Sequence, residues 1–111
     1  MVFAPGTDLH DDSLVQSGAL ILQDKASCFP AHALSVPKHS IVIDACAAPG
    51  NKTSHLSSLM QNTGKIFAFE LDKNRLQTLI RLTQLAGCTS RISTFLSFFF
   101  FYVCCPLSLL P

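Results

Sequence analysis

The side chains that could do chemistry are concentrated in one run, Asp44-Ala45-Cys46-Ala47-Ala48-Pro49-Gly50-Asn51-Lys52-Thr53. A second carboxylate, Glu70, stands twenty residues beyond Gly50. The run follows an apolar stretch, Ile41-Val42-Ile43, and precedes a helical pattern. Strand, sharp turn, helix and a second strand closing on an acid outline a site for a nucleoside-bearing cofactor. Pro49-Gly50 lets backbone approach a ligand with no side chain in the way. The helix start turns unpaired N–H groups toward the crevice at the carboxyl ends of the strands. Glu70 can accept hydrogen bonds from two vicinal ribose hydroxyls, a charge-assisted and geometrically specific contact. Phe69 and Leu71 flank it and could help line an adenine slot.

The loop also narrows the cofactor class. A dinucleotide site wants three spaced glycines for the pyrophosphate, and this loop has one. Asn51-Lys52-Thr53 echoes the end of a phosphate-binding loop, but the glycines upstream of it are missing. A cofactor without phosphates fits better. S-adenosyl-L-methionine joins adenosine to a zwitterionic amino acid through a sulfonium. Its ribose suits Glu70, and its carboxylate suits the loop N–H groups or Lys52. Its ammonium suits Asp44 or a backbone carbonyl. Plainer readings stay open: Asp44 as a turn residue, Glu70 as a solvated carboxylate, Lys52 as a surface charge. Asn51 could be a turn residue tolerating left-handed backbone, and Cys46 a small core hydrophobe. His55 has no carboxylate or cysteine at metal spacing and reads as packing or surface, so no metal is expected.

Positioning these residues takes a short series of elements. Residues 1–19 read as an irregular lead-in, with turn signals at Pro5-Gly6, Asp11-Asp12-Ser13 and Gly18. Leu20-Ile21-Leu22 is a strand candidate. Asp24 could cap a helix over 25–34, although Pro30 sits awkwardly inside it. Ile41–Ile43 is the next strand. Thr53, Leu56, Leu59 and Met60 recur at helical spacing and predict a helix over 52–61, stopped by Asn62-Thr63-Gly64. Lys65–Glu70 is a nearly apolar strand of the kind a parallel sheet buries. Asp72 is a plausible N-cap for a helix with Leu76, Leu79, Ile80, Thr83 and Leu85-Ala86 on its core side, and Gly87 is its stop.

Residues 92–111 break this order. They hold no charge, four consecutive phenylalanines (Phe98–Phe101) and two prolines. A third strand and helix are due here and neither is legible. The composition suggests a junction to foreign sequence. A membrane tail anchor is disfavoured by Pro106, the serines and the lack of a flanking charge, and a buried apolar element is the other alternative. The organisation expected is a lead-in over 1–19, the first part of a domain over 20–91, and a divergent hydrophobic tail over 92–111. The class expected is α/β, a partial Rossmann-like fold with a parallel sheet and helices on both faces.

At 111 residues there is room for one small domain, yet each crossover unit takes about thirty residues. Charged residues are 14% of the chain, well below the usual share, and the formal net charge of +1 neither advertises nor excludes a nucleic-acid groove. The five cysteines lack paired metal spacing, and Cys104-Cys105 are adjacent. No positively charged segment leads an apolar run at the N-terminus, so free thiols in a reducing compartment are expected.

The run Asp44–Thr53 resembles the cofactor motif of the RNA cytosine-5 methyltransferases of the NOL1/NOP2/Sun domain family. Gln23-Asp24-Lys25-Ala26-Ser27 is similar to the segment preceding that motif, and Phe67–Leu76 to the family's second strand and helix start. The resemblance covers about Thr7 to Gly87 and looks closest to the fifth-numbered branch, which acts on large-subunit ribosomal RNA. Asn51 replaces the glycine of the family's usual loop but matches this branch. The resemblance implies that Cys46, Ala47, Ala48, Pro49, Gly50, Asn51 and Lys52 surround the methionine part, that Glu70 holds the ribose, and that Arg75 supports the same pocket. It implies an RNA partner and a nuclear, nucleolar location. The family's later Asp-Pro-Cys and Thr-Cys strand ends are not found, and neither Cys104 nor Cys105 follows the required strand ends. The expectation is therefore a cofactor-binding fragment with no catalytic residue of its own and weak or absent RNA binding. The alternatives are a short isoform that is unstable or interferes with its parent, and a methyltransferase fragment with another substrate.

Overall fold

The structure, a computed structural model, describes residues 2–88 and 92–96. In chain order they form α1 (Ser13–Gln16), α2 (Lys25–Leu34), β1 (Ile41–Asp44), α3 (Asn51–Leu59), β2 (Lys65–Glu70), α4 (Lys73–Leu85) and β3 (Ile92–Leu96). The strands make one parallel sheet in the order β1-β2-β3. This is an α/β fold with a parallel sheet flanked by helices.

Local chemistry sets most of the boundaries. The Asp12 carboxylate accepts the Leu14 N–H at 2.8 Å and starts α1, a single turn within the otherwise irregular lead-in. Asp72 caps α4 by accepting the Arg75 N–H at 2.8 Å. Asp24 occupies the N-cap of α2 in extended backbone, but its side chain makes no capping bond. Pro30 lies inside α2 without ending it. The strand expected at Leu20–Leu22 is not formed. Leu20 instead donates its N–H to the Leu14 carbonyl at 2.9 Å, folding the segment back onto the α1 region rather than onto a ladder.

Alternation along the strands decides the core. Val42, Ile66, Ala68 and Glu70 are buried on one face. Val42 and Ile66 pack with Ala31 of α2 and with Leu56 and Met60, which α3 and its end contribute. Ala68 packs with Ala47, Ala48 and Leu79 of α4. Ile92 of β3 touches both groups. The other face carries Ile41 (73% exposed), Ile43 (59%) and Phe95 (41%), with Phe69 stacked on Phe95 at 5.0 Å between ring centroids. Among the described residues, α2, α3 and α4 pack on the face that carries Val42, Ile66 and Ala68. For α3 and α4 the reason is topological: with strands in the order β1-β2-β3, each right-handed crossover returns its helix to the same side, and changing sides requires the strand order to reverse. α2 joins that side by packing Ala31 on Val42 and Ile66.

β3 also departs from the sequence reading, which found no legible strand after Arg91. Residues 92–96 pair with β2 over five positions, from Ile66 opposite Ile92 to Glu70 opposite Leu96. A parallel edge strand is specified by its backbone ladder and by residues such as Ile92, Thr94 and Phe95 that suit a pleated surface. The absence of charge, which suggested a tail, does not oppose that. The expectations for Phe98–Phe101, Cys104 and Cys105 lie outside the described residues.

Candidate functional site

The site is built where β1 and β2 end. β1 stops at Asp44, and the chain loops through residues 45–50 before entering α3. Gly50 makes the turn with φ 114° and ψ 0°. A Cβ there would stand 3.0 Å from Leu79 Cδ1 and 3.3 Å from Thr83 Cγ2, so both the backbone angle and the approach of α4 ask for glycine. The Ala48–Pro49 peptide is cis.

Contacts from three elements hold the loop. The Ala47 N–H donates to the Phe69 carbonyl of β2 at 3.0 Å. Arg75, in the first turn of α4, donates from Nη2 to the Ala48 carbonyl at 2.9 Å. From α3, Thr53 Oγ1 donates to Asp44 Oδ2 at 2.7 Å, and Ser54 Oγ donates to the Gly50 carbonyl at 2.7 Å.

Glu70 ends β2 beside this loop, and its side chain is only 4% exposed. Its Oε1 accepts the N–H groups of Leu71 and Asp72 at 2.9 and 3.1 Å. Its Oε2 is buried and receives no hydrogen bond. The Arg75 guanidinium lies 3.6 Å away, close enough to offset the charge but too far for a good hydrogen bond. The carboxylate is thus anchored by hydrogen bonds through Oε1, while Oε2 is buried with only the Arg75 charge nearby. Burying such an acceptor without a partner is costly, which marks Oε2 as a place for a donor from outside the chain.

Cys46, Asn51 and Phe69 differ from their sequence reading, while Lys52 and His55 take positions it left open. Cys46 is exposed in the loop and is not a core hydrophobe. The left-handed turn residue is Gly50, and Asn51 is already helical. Lys52 is exposed and reaches back to Ser27 Oγ at 3.4 Å, which connects the Gln23–Ser27 segment to the loop. Phe69 does not share the Glu70 face: consecutive strand residues point to opposite sides, and its ring stacks on Phe95. His55 packs edge-on against His32 with ring centroids 5.1 Å apart. Burial, and then the neighbouring His32, hold its pKa below the usual histidine value. Burial pushes the Cys88 thiol up. The bonds from Thr53 to Asp44 and from Arg75 to Ala48 were not foreseen. The first joins two residues of one recognisable motif, so its members could have been paired, whereas the second spans 27 positions and has no local signal.

A cleft of about 1400 Å³ lies between the N-terminal segment, α2 and α3, and reaches the Asp44–Thr53 run only at Asn51. It excludes Glu70 and Arg75. A smaller hollow of about 180 Å³ beside β1 is lined in part by Asp44, Ala45 and Lys52. Among the described residues no cluster of three His, Cys, Asp or Glu could hold a metal ion, and no helix is long and apolar enough to cross a membrane.

Residues 31–95 match the family model described as 16S rRNA methyltransferase RsmB/F. The chain is 58% identical over 87 residues to the 28S rRNA (cytosine-C(5))-methyltransferase of Mus musculus, covering 78% of this chain and 19% of that protein. It is 46% identical over 90 residues to the 25S rRNA (cytosine-C(5))-methyltransferase NSUN5 of Arabidopsis thaliana, covering 81% and 16% respectively. The chain therefore spans 16% to 19% of the length of these curated relatives. Among solved structures, a methyltransferase homolog protein from Pyrococcus horikoshii superposes with a TM-score of 0.76 at 34% identity, over 83% of this chain and 30% of that one. NSun6 from Pyrococcus horikoshii, solved with SFG, superposes with a TM-score of 0.75 at 27% identity, over 82% of this chain and 23% of that one. With more than half of its residues inside the family match, the chain belongs to the NOL1/NOP2/Sun family of rRNA cytosine-5 methyltransferases, on its NSUN5-like branch.

Proposed function

We propose that this chain is the cofactor-binding segment of an S-adenosylmethionine-dependent RNA (cytosine-5) methyltransferase that acts on large-subunit ribosomal RNA. The observation that carries the reading is Glu70 Oε2, a buried acceptor with no hydrogen bond, beside a loop tied to β2, α3 and α4. The residues present suit the cofactor. Glu70 offers Oε2 to the ribose hydroxyls while two backbone N–H groups fix Oε1. Cys46, Ala47, Ala48, Pro49, Gly50, Asn51 and Lys52 surround the methionine part. Arg75 fastens the loop through the Ala48 carbonyl and balances the charge on Glu70. S-adenosylmethionine, when bound, supplies an electrophilic methyl group.

Residues 20–91 are read as the first part of the methyltransferase domain, and β3 extends that part to residue 96. Taken alone, the 111 residues hold the cofactor and do not methylate. Cytosine C5 is a weak nucleophile until a thiolate adds at C6, and that thiolate must be held rigidly at reacting distance. Among the described residues, Cys28 lies on α2, Cys88 is buried, and Cys46 belongs to the loop assigned to the cofactor. Cys104 and Cys105 lie outside the described residues and follow neither of the strand ends the family uses. Eight lysines and arginines against seven acids give little electrostatic pull on RNA, so binding of RNA by this segment alone is weak. The relatives' ribosomal RNA substrates support a nuclear, nucleolar place of action for the complete enzyme.

Isothermal titration of the 111-residue chain with S-adenosylmethionine tests the reading. Saturable binding that Glu70→Ala abolishes is expected. Affinity unchanged in Glu70→Ala would refute the assignment of the ribose site.

A further inference from the structure

We infer that Thr53 is a positioning residue of the cofactor site, its hydroxyl holding the Asp44 carboxylate in the orientation that receives the ammonium of the ligand's amino-acid part. The inference rests on the reading of this loop as the S-adenosylmethionine site. Thr53 is fully buried in the first turn of α3. A hydroxyl has one proton to donate, and two acceptors lie near it: Asp44 Oδ2 at 2.7 Å and the Ala47 carbonyl at 3.5 Å. The shorter bond, to a carboxylate, is the stronger one. It anchors Oδ2 against the start of α3.

The other oxygen, Oδ1, receives no hydrogen bond from the described residues. No cation pairs with Asp44 among them either. Lys52, next to Thr53 in sequence, turns to Ser27 instead, and the ion pair of this site joins Arg75 to Glu70. A carboxylate at the carboxyl end of a parallel strand, anchored through one oxygen and open at the other, with no cation of its own, suits a ligand ammonium. The same bond draws together the two ends of the loop, since Asp44 precedes it and Thr53 follows it. Glu70 and Asp44 then divide the ligand: Glu70 takes the ribose, Asp44 the amino acid, and Thr53 acts through Asp44.

Two ligands separate this role from a general structural one. S-adenosylhomocysteine carries adenosine, a thioether and the amino-acid part. 5′-Deoxy-5′-methylthioadenosine carries the first two and lacks the third. Titration of the 111-residue chain with each ligand is compared across Thr53→Val, which keeps the shape and removes the donor, Thr53→Ser, which keeps the donor, and Asp44→Asn. Thr53→Val should weaken S-adenosylhomocysteine by about ten-fold or more, the usual effect of losing a hydrogen bond to a charged group, and leave methylthioadenosine little changed. Thr53→Ser should restore the preference for the amino-acid ligand, and Asp44→Asn should abolish it. Should circular dichroism show Thr53→Val unfolded, Asp44→Asn and Thr53→Ser still decide the matter through the same ratio. Equal weakening of both ligands, or of neither, overturns the role given to Thr53. Failure of the unaltered chain to bind either ligand overturns the cofactor site itself.

Discussion

Replacing Gly50 with alanine should be far more damaging than the same change at Gly87, although both glycines have positive φ. Gly50 holds φ 114° and faces α4, where a new Cβ would meet Leu79 Cδ1 at 3.0 Å and Thr83 Cγ2 at 3.3 Å. The backbone angle alone costs an alanine about 1–3 kcal/mol. Pushing the two side chains aside costs about 1–3 kcal/mol more, because Leu79 and Thr83 are themselves buried and have little room to yield. Gly87 has φ 71° and nothing within 4 Å of the added methyl, so Gly87→Ala bears only the left-handed term, about 1–2 kcal/mol. A domain this small holds roughly 5–15 kcal/mol in all, so Gly50→Ala removes a large share of it. Urea unfolding followed by far-ultraviolet circular dichroism reads the difference. With a slope on the order of 1 kcal/mol per molar, the midpoint should fall by about 2 M or more for Gly50→Ala and by about 1 M for Gly87→Ala. Equal midpoints for the two variants would refute the close packing of the loop turn against α4.

The His32–His55 pair makes stability depend on pH. Burial and then His32 lower the folded-state pKa of His55 from 6.5, so both states hold it neutral above that value. As pH falls below 6.5, the unfolded chain takes up the proton first and stability drops until the lowered folded pKa is passed; His55→Asn should flatten this part of a stability profile measured between about pH 7 and pH 5. Thiol labelling at neutral pH, mapped by peptide mass spectrometry, should modify exposed Cys46 in the native chain and reach buried Cys88, whose thiol is pushed up by burial, only on unfolding. Parallel labelling of both would contradict the burial of Cys88.

The strands and helices that were legible were those whose signals are local. Asp72 announced α4 through a cap that needs only its own neighbours. Lys65–Glu70 announced β2 by composition, and Asp44–Thr53 announced a turn between strand and helix. What was hidden depended on partners distant in sequence. β3 exists because β2 offers it a ladder, and nothing in residues 92–96 alone distinguishes them from the apolar residues that follow. Leu20–Leu22 failed for the converse reason: a strand-like triplet with no ladder bends back toward Leu14. Phe69 adjoins Glu70 in sequence, yet in a strand adjacency means opposite faces.

The same alternation explains how so small a sheet can hold a defined site while, among the described residues, its helices cover one face. Glu70 shares a face with Ile66 and Ala68, which are fully buried beneath α3 and α4. Every side-chain bond that holds the loop comes from that side: Thr53 and Ser54 from α3, Arg75 from α4. The remaining tether, from Ala47 to Phe69, runs between backbones and needs no cover on the ring of Phe69. Ile41, Ile43 and Phe95 make none of these contacts. The geometry around Glu70 is therefore set on the side of the sheet opposite to Ile41, Ile43 and Phe95.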